Sequence, residues 1–283
     1  MTGIPVRRAG IIGWPVTHSR SPLLHGHWLA TLAIAGAYER IPVPPEEIAG
    51  FLAGFAQSGF VGGNVTIPHK EAAYTATRDT ADPVASFLGA ANTLWLEDGR
   101  LMSANTDVAG FLGNLDEATP GWDAAGGPAL VLGAGGAARA IVYGLDRRGF
   151  GPIHLVNRTR ARAEAIAALF PASARVAEEA DVARLLGEAR VLANTTSLGM
   201  KGQPPLEFDL APARDDLVVT DAVYVPLRTP LLERARARGL RAVDGLGMLL
   251  HQAVPSFARW FGVTPAVTPA LRNLLLADLG EAP

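Results

Sequence analysis

The stretch NVTIPHK (64–70) puts a lysine where a strand should stop. Val65, Thr66 and Ile67 are β-branched, as suits a buried strand, and Pro68 withholds a backbone donor and ends the ladder. A primary amine presented at a strand end can carry a proton to or from a ligand in the crevice that open α/β sheets form there. The same local sequence suits a surface lysine lying along the first turn of a helix, so Lys70 by itself leaves both readings open.

A second stretch, LVLGAGGAARA (130–140), places Gly133, Gly135 and Gly136 directly after a strand-like run and at the mouth of a helix-like one. Glycine there lets the backbone turn tightly and approach a diphosphate, which rests against the positive end of the helix. The next strand-like run ends in NRTRAR (157–162), where an NAD-binding protein would carry an acid for the ribose 2′-hydroxyl. No acid is present. Arg158 and Arg162, with Asn157 and Thr159, offer donors suited to a 2′-phosphate. A solvated, basic helix start is the alternative, and beside the glycine loop NADP(H) is the better reading.

Two α/β series must position these residues. In the first, AGIIG reads as a short buried strand, Ser21 as an N-cap with Pro22 at the first helical position, and Gly36 as the close of that helix. YERIPV alternates like a strand, and Ile48, Phe51, Leu52 and Phe55 recur at helical spacing. FVGGNVTI is the next strand, and Glu97-Asp98-Gly99 joins NTLWL to RLMSA as a hairpin. The Gly/Pro-rich run DEATPGWDAAGGP reads as a turn or linker before the second series, with strands ALVLG, IHLVN, VLANT, LVVTDAV and LRAV. Strands alternating with helices imply a parallel sheet with helices on both faces. The tail is helical: Leu246, Leu249, Leu250, Ala253, Val254 and Phe257 form one stripe that Pro255 should bend or interrupt. Thr268-Pro269 opens a last helix, ended by Gly280. Met248 and Gln252 share a helix face, and the tail is expected to return to the first domain with Gln252.

Composition fits this picture. A chain of 283 residues with 49% hydrophobic and 18% charged residues builds a sizeable core. A net charge of −2 provides no strong field for phosphate backbones or anionic membranes, so neither nucleic acid nor membrane is an expected partner. The absence of cysteine excludes disulfides and thiolate chemistry and suits a reducing compartment. MTGIPVRR lacks a signal-peptide core, and the longest uncharged apolar run, Trp28 to Tyr38, is too short to span a bilayer. A cytoplasmic protein is expected. His18, His25 and His27 lie close together without the acid or thiol spacing of a zinc site, so no metal is expected. His69 should point away from Lys70, and His251 reads as structural.

HSRSP (18–22), NVTIPHK, GAANT (89–93), NTD (105–107), GAGGAAR (133–139), NRTRAR, DAVY (221–224) and DGLGMLLHQ (244–252) occur in an order and spacing that resemble the shikimate dehydrogenase family along nearly the whole chain. The resemblance implies two α/β domains, an N-terminal substrate domain and a Rossmann-like NADP-binding domain, with C-terminal helices returning to the first. The expected divisions are 1–107 for substrate and catalysis, 108–245 for NADP, and 246–283 for the returning helices. It also implies NADP(H)-dependent interconversion of shikimate and 3-dehydroshikimate, by a monomer or homodimer acting on a small molecule. On the family's pattern Lys70 and Asp107 are the catalytic pair; Ser19, Ser21 and Tyr224 bind the ring carboxylate; Thr66, Asn92, Asp107 and Gln252 bind ring hydroxyls. The cofactor residues it implies are Gly133, Ala134, Gly135, Gly136, Ala137, Asn157, Arg158, Thr159 and Arg162, with Asp82, Ala222 and Gly245.

That chemistry is sound on its own terms. Hydride leaves a secondary alcohol carbon only as the hydroxyl proton is taken up, and one positioned proton carrier contributes ~10²- to 10⁴-fold. Ser21 before Pro22 caps a helix with or without a ligand, and a helix N-terminus also suits a carboxylate. Gln252 would equally suit a solvated helix face. Ala91 departs from the family's more common valine, and Pro255 puts the helix path around Gln252 in question. An NAD-using quinate/shikimate dehydrogenase is the alternative within the family, against which the arginines of NRTRAR and the intact SRS speak. A catalytically silent NADP(H) sensor is the alternative of another class, against which the retention of Lys70 and Asp107 speaks.

Overall fold

The structure, a computed structural model, describes residues 6–281; residues 1–5, which begin the MTGIPVRR stretch, lie outside the described residues. The chain divides into two compact units, one taking residues up to Thr106 and from Gln252 onward, the other Asp107–His251.

In the first unit five strands form one sheet: β1 (Arg7–Gly13), β2 (Gly36–Pro42), β3 (Gly62–Val65), β4 (Thr93–Glu97) and β5 (Arg100–Ala104), ordered β2-β1-β3-β4-β5. β1, β2 and β3 run parallel, whereas β4 and β5 are antiparallel to their neighbours. Asp98 and Gly99 both have positive φ, which gives the β4–β5 hairpin the twist its strands need. Ile12, Val65, Leu94, Leu52 and Phe55 build the core with almost no exposure. β3 ends at Val65, two residues before the Ile67 expected from β-branching, because Thr66 and Ile67 already belong to a turn.

Two helix signals proved misleading in this unit. The helix Ser21–Thr31 has Arg20, not Ser21, at its N-cap position, and no side chain caps it. Ser21 is instead buried, 4% exposed, with its side chain close to the phenol of Tyr38. Gly36 does not close this helix, which ends at Thr31; it opens β2, where a Cβ would stand 2.8 Å from Leu29 and Phe261 side-chain atoms. Close packing, not a left-handed turn, requires that glycine.

The helix Leu246–Phe261 runs through Pro255 without a break, held by Leu250, Ala253, Phe257 and Trp260, each at most 2% exposed. From Gln252 onward it belongs to the first unit, as does the helix Pro269–Leu279. Trp260 donates to the Leu94 carbonyl at 2.8 Å, and a Cβ on Gly62 would collide with both. Trp28 likewise donates to Ala266 at 3.0 Å. This stretch therefore completes the first unit's core.

His25 sits inside that core, fully buried, stacked on Tyr38 with ring centroids 4.0 Å apart and flanked by Trp28, Phe257 and Trp260. Neither ring nitrogen has a hydrogen-bond partner among the described residues, and burial pushes its pKa from 6.5 down to about 3. The unfolded chain therefore takes a proton over that range and the folded chain does not, so stability falls as pH drops from about 6.5 towards about 3, by about 1.4 kcal/mol per pH unit. His25→Phe is expected to flatten this limb in urea denaturation at a series of pH values; an unchanged slope would refute the assignment.

The second unit is a six-stranded parallel sheet of β6 (Gly127–Leu132), β7 (Phe150–Val156), β8 (Ala174–Val176), β9 (Val191–Asn194), β10 (Val218–Asp221) and β11 (Arg241–Val243). Their order is β11-β10-β9-β6-β7-β8, so the winding reverses between β6 and β9, the place where such sheets bind ligands. β9 and β10 are buried at every residue, as strands covered on both faces must be. The DEATPGWDAAGGP run is more than a linker: its first residues finish the helix Asp107–Ala118, and Trp122, 4% exposed, stacks on Phe150 at 5.3 Å.

Candidate active site

Parallel pairing brings the C-terminal ends of β1 and β3 to one edge of the first sheet, and the antiparallel β4 starts at that same edge. Ser19 and Ser21 follow β1, Thr66 and Lys70 follow β3, and Asn92 precedes β4. The turn after β3 is pinned by Thr66 N–H donating to Ile12 O at 2.9 Å and Trp14 N–H to Ile67 O at 3.1 Å. Lys70 is thus the half-buried first residue of the helix Lys70–Ala76, not a strand residue. Its carbonyl accepts from Ala91 N–H at 2.9 Å. His69 turns inward, 2% exposed, with Nε2 2.7 Å from Val43 O.

Around the strand ends the polar groups are fixed. Asn92, 2% exposed, accepts at Oδ1 from Thr106 N–H at 2.7 Å and from the Thr106 and Thr93 hydroxyls at 3.1 Å each. A saturated Oδ1 sets the amide's orientation, so Nδ2 is its donor face. Its carbonyl accepts from Val65 N–H at 2.8 Å, which seats it beside Thr66. Ser19 Oγ accepts from Ser21 N–H at 3.3 Å, and Arg40 donates to Ser19 O at 2.8 Å. Gln252 is buried, 9% exposed, rather than on a solvated helix face. Asp107 follows Thr106 in the chain, is buried, and begins the helix Asp107–Ala118 of the second unit.

In the second unit Gly133, at φ +103°, leaves β6; a Cβ there would stand 2.5 Å from Thr195 Oγ1. Gly135 and Gly136 head the 12-residue helix Gly136–Arg147, and a Cβ on either would meet nothing within 4 Å. Their missing side chains serve no packing inside the protein. They leave open space over backbone amides at a positive helix end, as a diphosphate needs. Ala134 and Ala137, half-buried, complete the loop.

A cavity of about 710 Å³ lies after β7, lined by Asn157, Arg158, Thr159 and Arg162 and closed by Thr196 and Leu198. Arg158 and Arg162 are exposed and make no ion pair among the described residues. Arg160 is held by Glu164 at 2.8 Å and by Glu178. Glu179, Glu207 and Asp209 also line the cavity, but none belongs to the strand-end run 157–162, where the two guanidinium groups fit a 2′-phosphate. Ala222 follows β10, and a Cβ on Gly245 would stand 2.5 Å from its carbonyl, so these two residues meet through backbone contact. Tyr224 is half-buried in the loop just beyond.

Asp82 stands apart from the other expected cofactor residues, since it belongs to the first unit. Its carboxylate caps the helix Pro83–Leu88, accepting from Ala85 N–H at 2.6 Å, and burial pushes its pKa up. Sequence reasoning missed Thr196, whose N–H and hydroxyl both donate to Asn194 Oδ1, at 3.0 and 2.8 Å. Asn194 in turn donates to the buried Asp221 at 2.9 Å. The Thr/Ser run after β9 was the available signal. Among the described residues no group of three or more His, Asp or Glu could hold a metal ion, and no helix is long and apolar enough to cross a membrane.

Residues 11–94 match the family described as shikimate dehydrogenase substrate binding domain, residues 119–199 the family shikimate / quinate 5-dehydrogenase, and residues 245–275 the shikimate 5′-dehydrogenase C-terminal domain. A curated relative from Azorhizobium caulinodans, named shikimate dehydrogenase (NADP(+)), is 62% identical over 274 residues, 97% of each chain. The solved shikimate 5-dehydrogenase of Thermus thermophilus in complex with NADP(H) and shikimate matches with TM-score 0.84 and 36% identity, over 97% of this chain and 100% of that one. A quinate dehydrogenase from Corynebacterium glutamicum in complex with NAD matches with TM-score 0.88 and 29% identity, over 96% of this chain and 99% of that one.

Proposed function

Since the chain belongs to the shikimate dehydrogenase family, we propose that it reduces 3-dehydroshikimate reversibly to shikimate with NADP(H), in aromatic amino acid (chorismate) biosynthesis. The observation that carries the cofactor assignment is the cavity after β7, where Arg158 and Arg162 stand and no acid occupies the end of the strand. NADP(H), when bound, supplies or accepts the hydride.

The protein's own residues handle the proton and the orientation. In reduction the Lys70 ammonium gives a proton from Nζ to the oxygen that gains negative charge as the carbonyl is reduced; in oxidation the neutral amine takes it back. Asp107 holds the reacting hydroxyl and the amine in register. Ser19, Ser21 and Tyr224 donate to the ring carboxylate, selecting an acid without a salt bridge. Thr66, Asn92 and Gln252 take ring hydroxyls, and Asn92 does so through Nδ2, since its oxygen is already saturated. Gly133 to Ala137 cradle the diphosphate, Asn157 to Arg162 hold the 2′-phosphate, and Ala222 and Gly245 line the cofactor's path. Asp82 acts on the cofactor side through the helix it caps. The domain assignments follow: the first unit binds the substrate, and the second holds NADP(H). The protein works in the cytoplasm as a monomer or homodimer, with no nucleic-acid or membrane partner.

Oxidation of shikimate and of quinate, each with NADP and with NAD, followed at the NADPH absorbance band, tests this reading. Shikimate with NADP is expected to turn over fastest by at least an order of magnitude, the scale of one charge-assisted contact. Preference for quinate with NAD would establish the alternative, and no turnover with tight NADPH binding would mark a sensor.

A further inference from the structure

A chain of buried hydrogen bonds crosses the first unit beneath the proposed substrate residues. The Tyr38 hydroxyl donates to Asn64 Oδ1 at 2.8 Å, Asn64 Nδ2 to Ser256 Oγ at 3.1 Å, and Ser256 pairs with Thr93 Oγ1 at 2.8 Å. Thr93 donates to Asn92 Oδ1 at 3.1 Å. The Asn64 amide nitrogen can only donate, so Ser256 Oγ accepts from it; the single Ser256 proton has both Thr93 Oγ1 and the Gln252 carbonyl within reach. In a buried setting each link is costly to break. Ser256 is 0% exposed, Thr93 0%, and Asn64 3%.

Ser256 is the junction of this chain. It lies one turn beyond Gln252 on the same helix, with Oγ 3.4 Å from the Gln252 carbonyl. It therefore links the helix that carries Gln252 to the strand start that carries Asn92. Resting on the proposed roles of those two residues, we propose that Ser256 is a positioning residue: its hydroxyl sets Gln252 and Asn92 at the spacing that the ring hydroxyls of the substrate require.

The test is a double-mutant cycle. Ser256→Ala is expected to raise the KM for shikimate about tenfold, with kcat within threefold and NADPH affinity by fluorescence titration unchanged. In the Gln252→Ala background the same substitution should change the KM for shikimate no more than about threefold, because of the two residues it positions only Asn92 remains. Thr93→Val, nearly isosteric and missing only the next hydroxyl of the chain, should give the same pattern, and it carries the test should Ser256→Ala fold poorly by circular dichroism. A parental KM in both variants, or an effect fully retained in the Gln252→Ala background, would overturn the proposal while leaving the substrate reading intact. A Gln252→Ala variant with parental shikimate kinetics would overturn both.

Discussion

Lys70→Ala is expected to lower turnover with shikimate roughly 100-fold or more, the contribution of a positioned proton carrier, while NADPH still binds. Without Nζ the oxygen that gains charge during reduction has only water as a proton source. Cofactor binding should survive because every residue lining the cavity after β7 belongs to the second unit, whereas Lys70 belongs to the first. The fold should survive as well: Lys70 is the first residue of a helix, alanine is the best helix former, and the bond from Ala91 N–H to the residue 70 carbonyl is retained. Lys70→Arg separates proton transfer from charge. Arginine keeps a cation there but does not release its proton, so this variant should stay nearly as slow as the alanine variant. Steady-state rates at the NADPH band with a parallel fluorescence titration decide the matter, and near-parental turnover in either variant removes Lys70 from the mechanism.

Arg158→Glu should exchange the cofactor preference. A charge-assisted bond contributes about 1.5–3 kcal/mol, and a carboxylate facing a 2′-phosphate adds repulsion, so affinity for NADPH is expected to fall by about 100-fold, at 1.4 kcal/mol per tenfold. NADH, whose ribose carries a hydroxyl that an acid can accept from, should change less than about threefold or bind better. Arg158 is exposed, so the change should leave stability alone. Arg160 cannot take over without leaving Glu164 and Glu178. Equal affinity of the parent protein for NADPH and NADH would sink the assignment.

What was legible in the sequence follows from the range of the forces involved. The glycine loop, the β4–β5 hairpin, the start of the last helix at Thr268 and its end at Gly280 depend on residues a few positions apart, and they formed as local chemistry dictates. Ser21 and Gly36 misled because tertiary packing, burial of Ser21 in the first and the side chain of Phe261 in the second, outweighed their local preferences. Pro255 gave a true local signal, but burial of Leu250, Ala253 and Phe257 on both sides of it carried the helix through. The contacts that join Ser256 to Thr93 and Asn64 could be read from no window, since they span 163 and 192 positions. Thr196 could have been read from the Ser/Thr run after β9, because short hydroxyls at a strand's end often bond neighbouring backbone.

The first unit is interrupted in sequence by the whole of the second, and it closes through contacts such as Trp260 against Leu94 and Gly62, Ala266 against Trp28, and Ser256 against Asn64 and Thr93. During translation the continuous stretch 107–251 has all its strands as soon as it leaves the ribosome, whereas the sheet made earlier waits, with its apolar face uncovered, for residues 252–281. The earlier-synthesised half of the protein is thus the later one to mature, and a nascent chain halted before Gln252 would be a natural client for a chaperone.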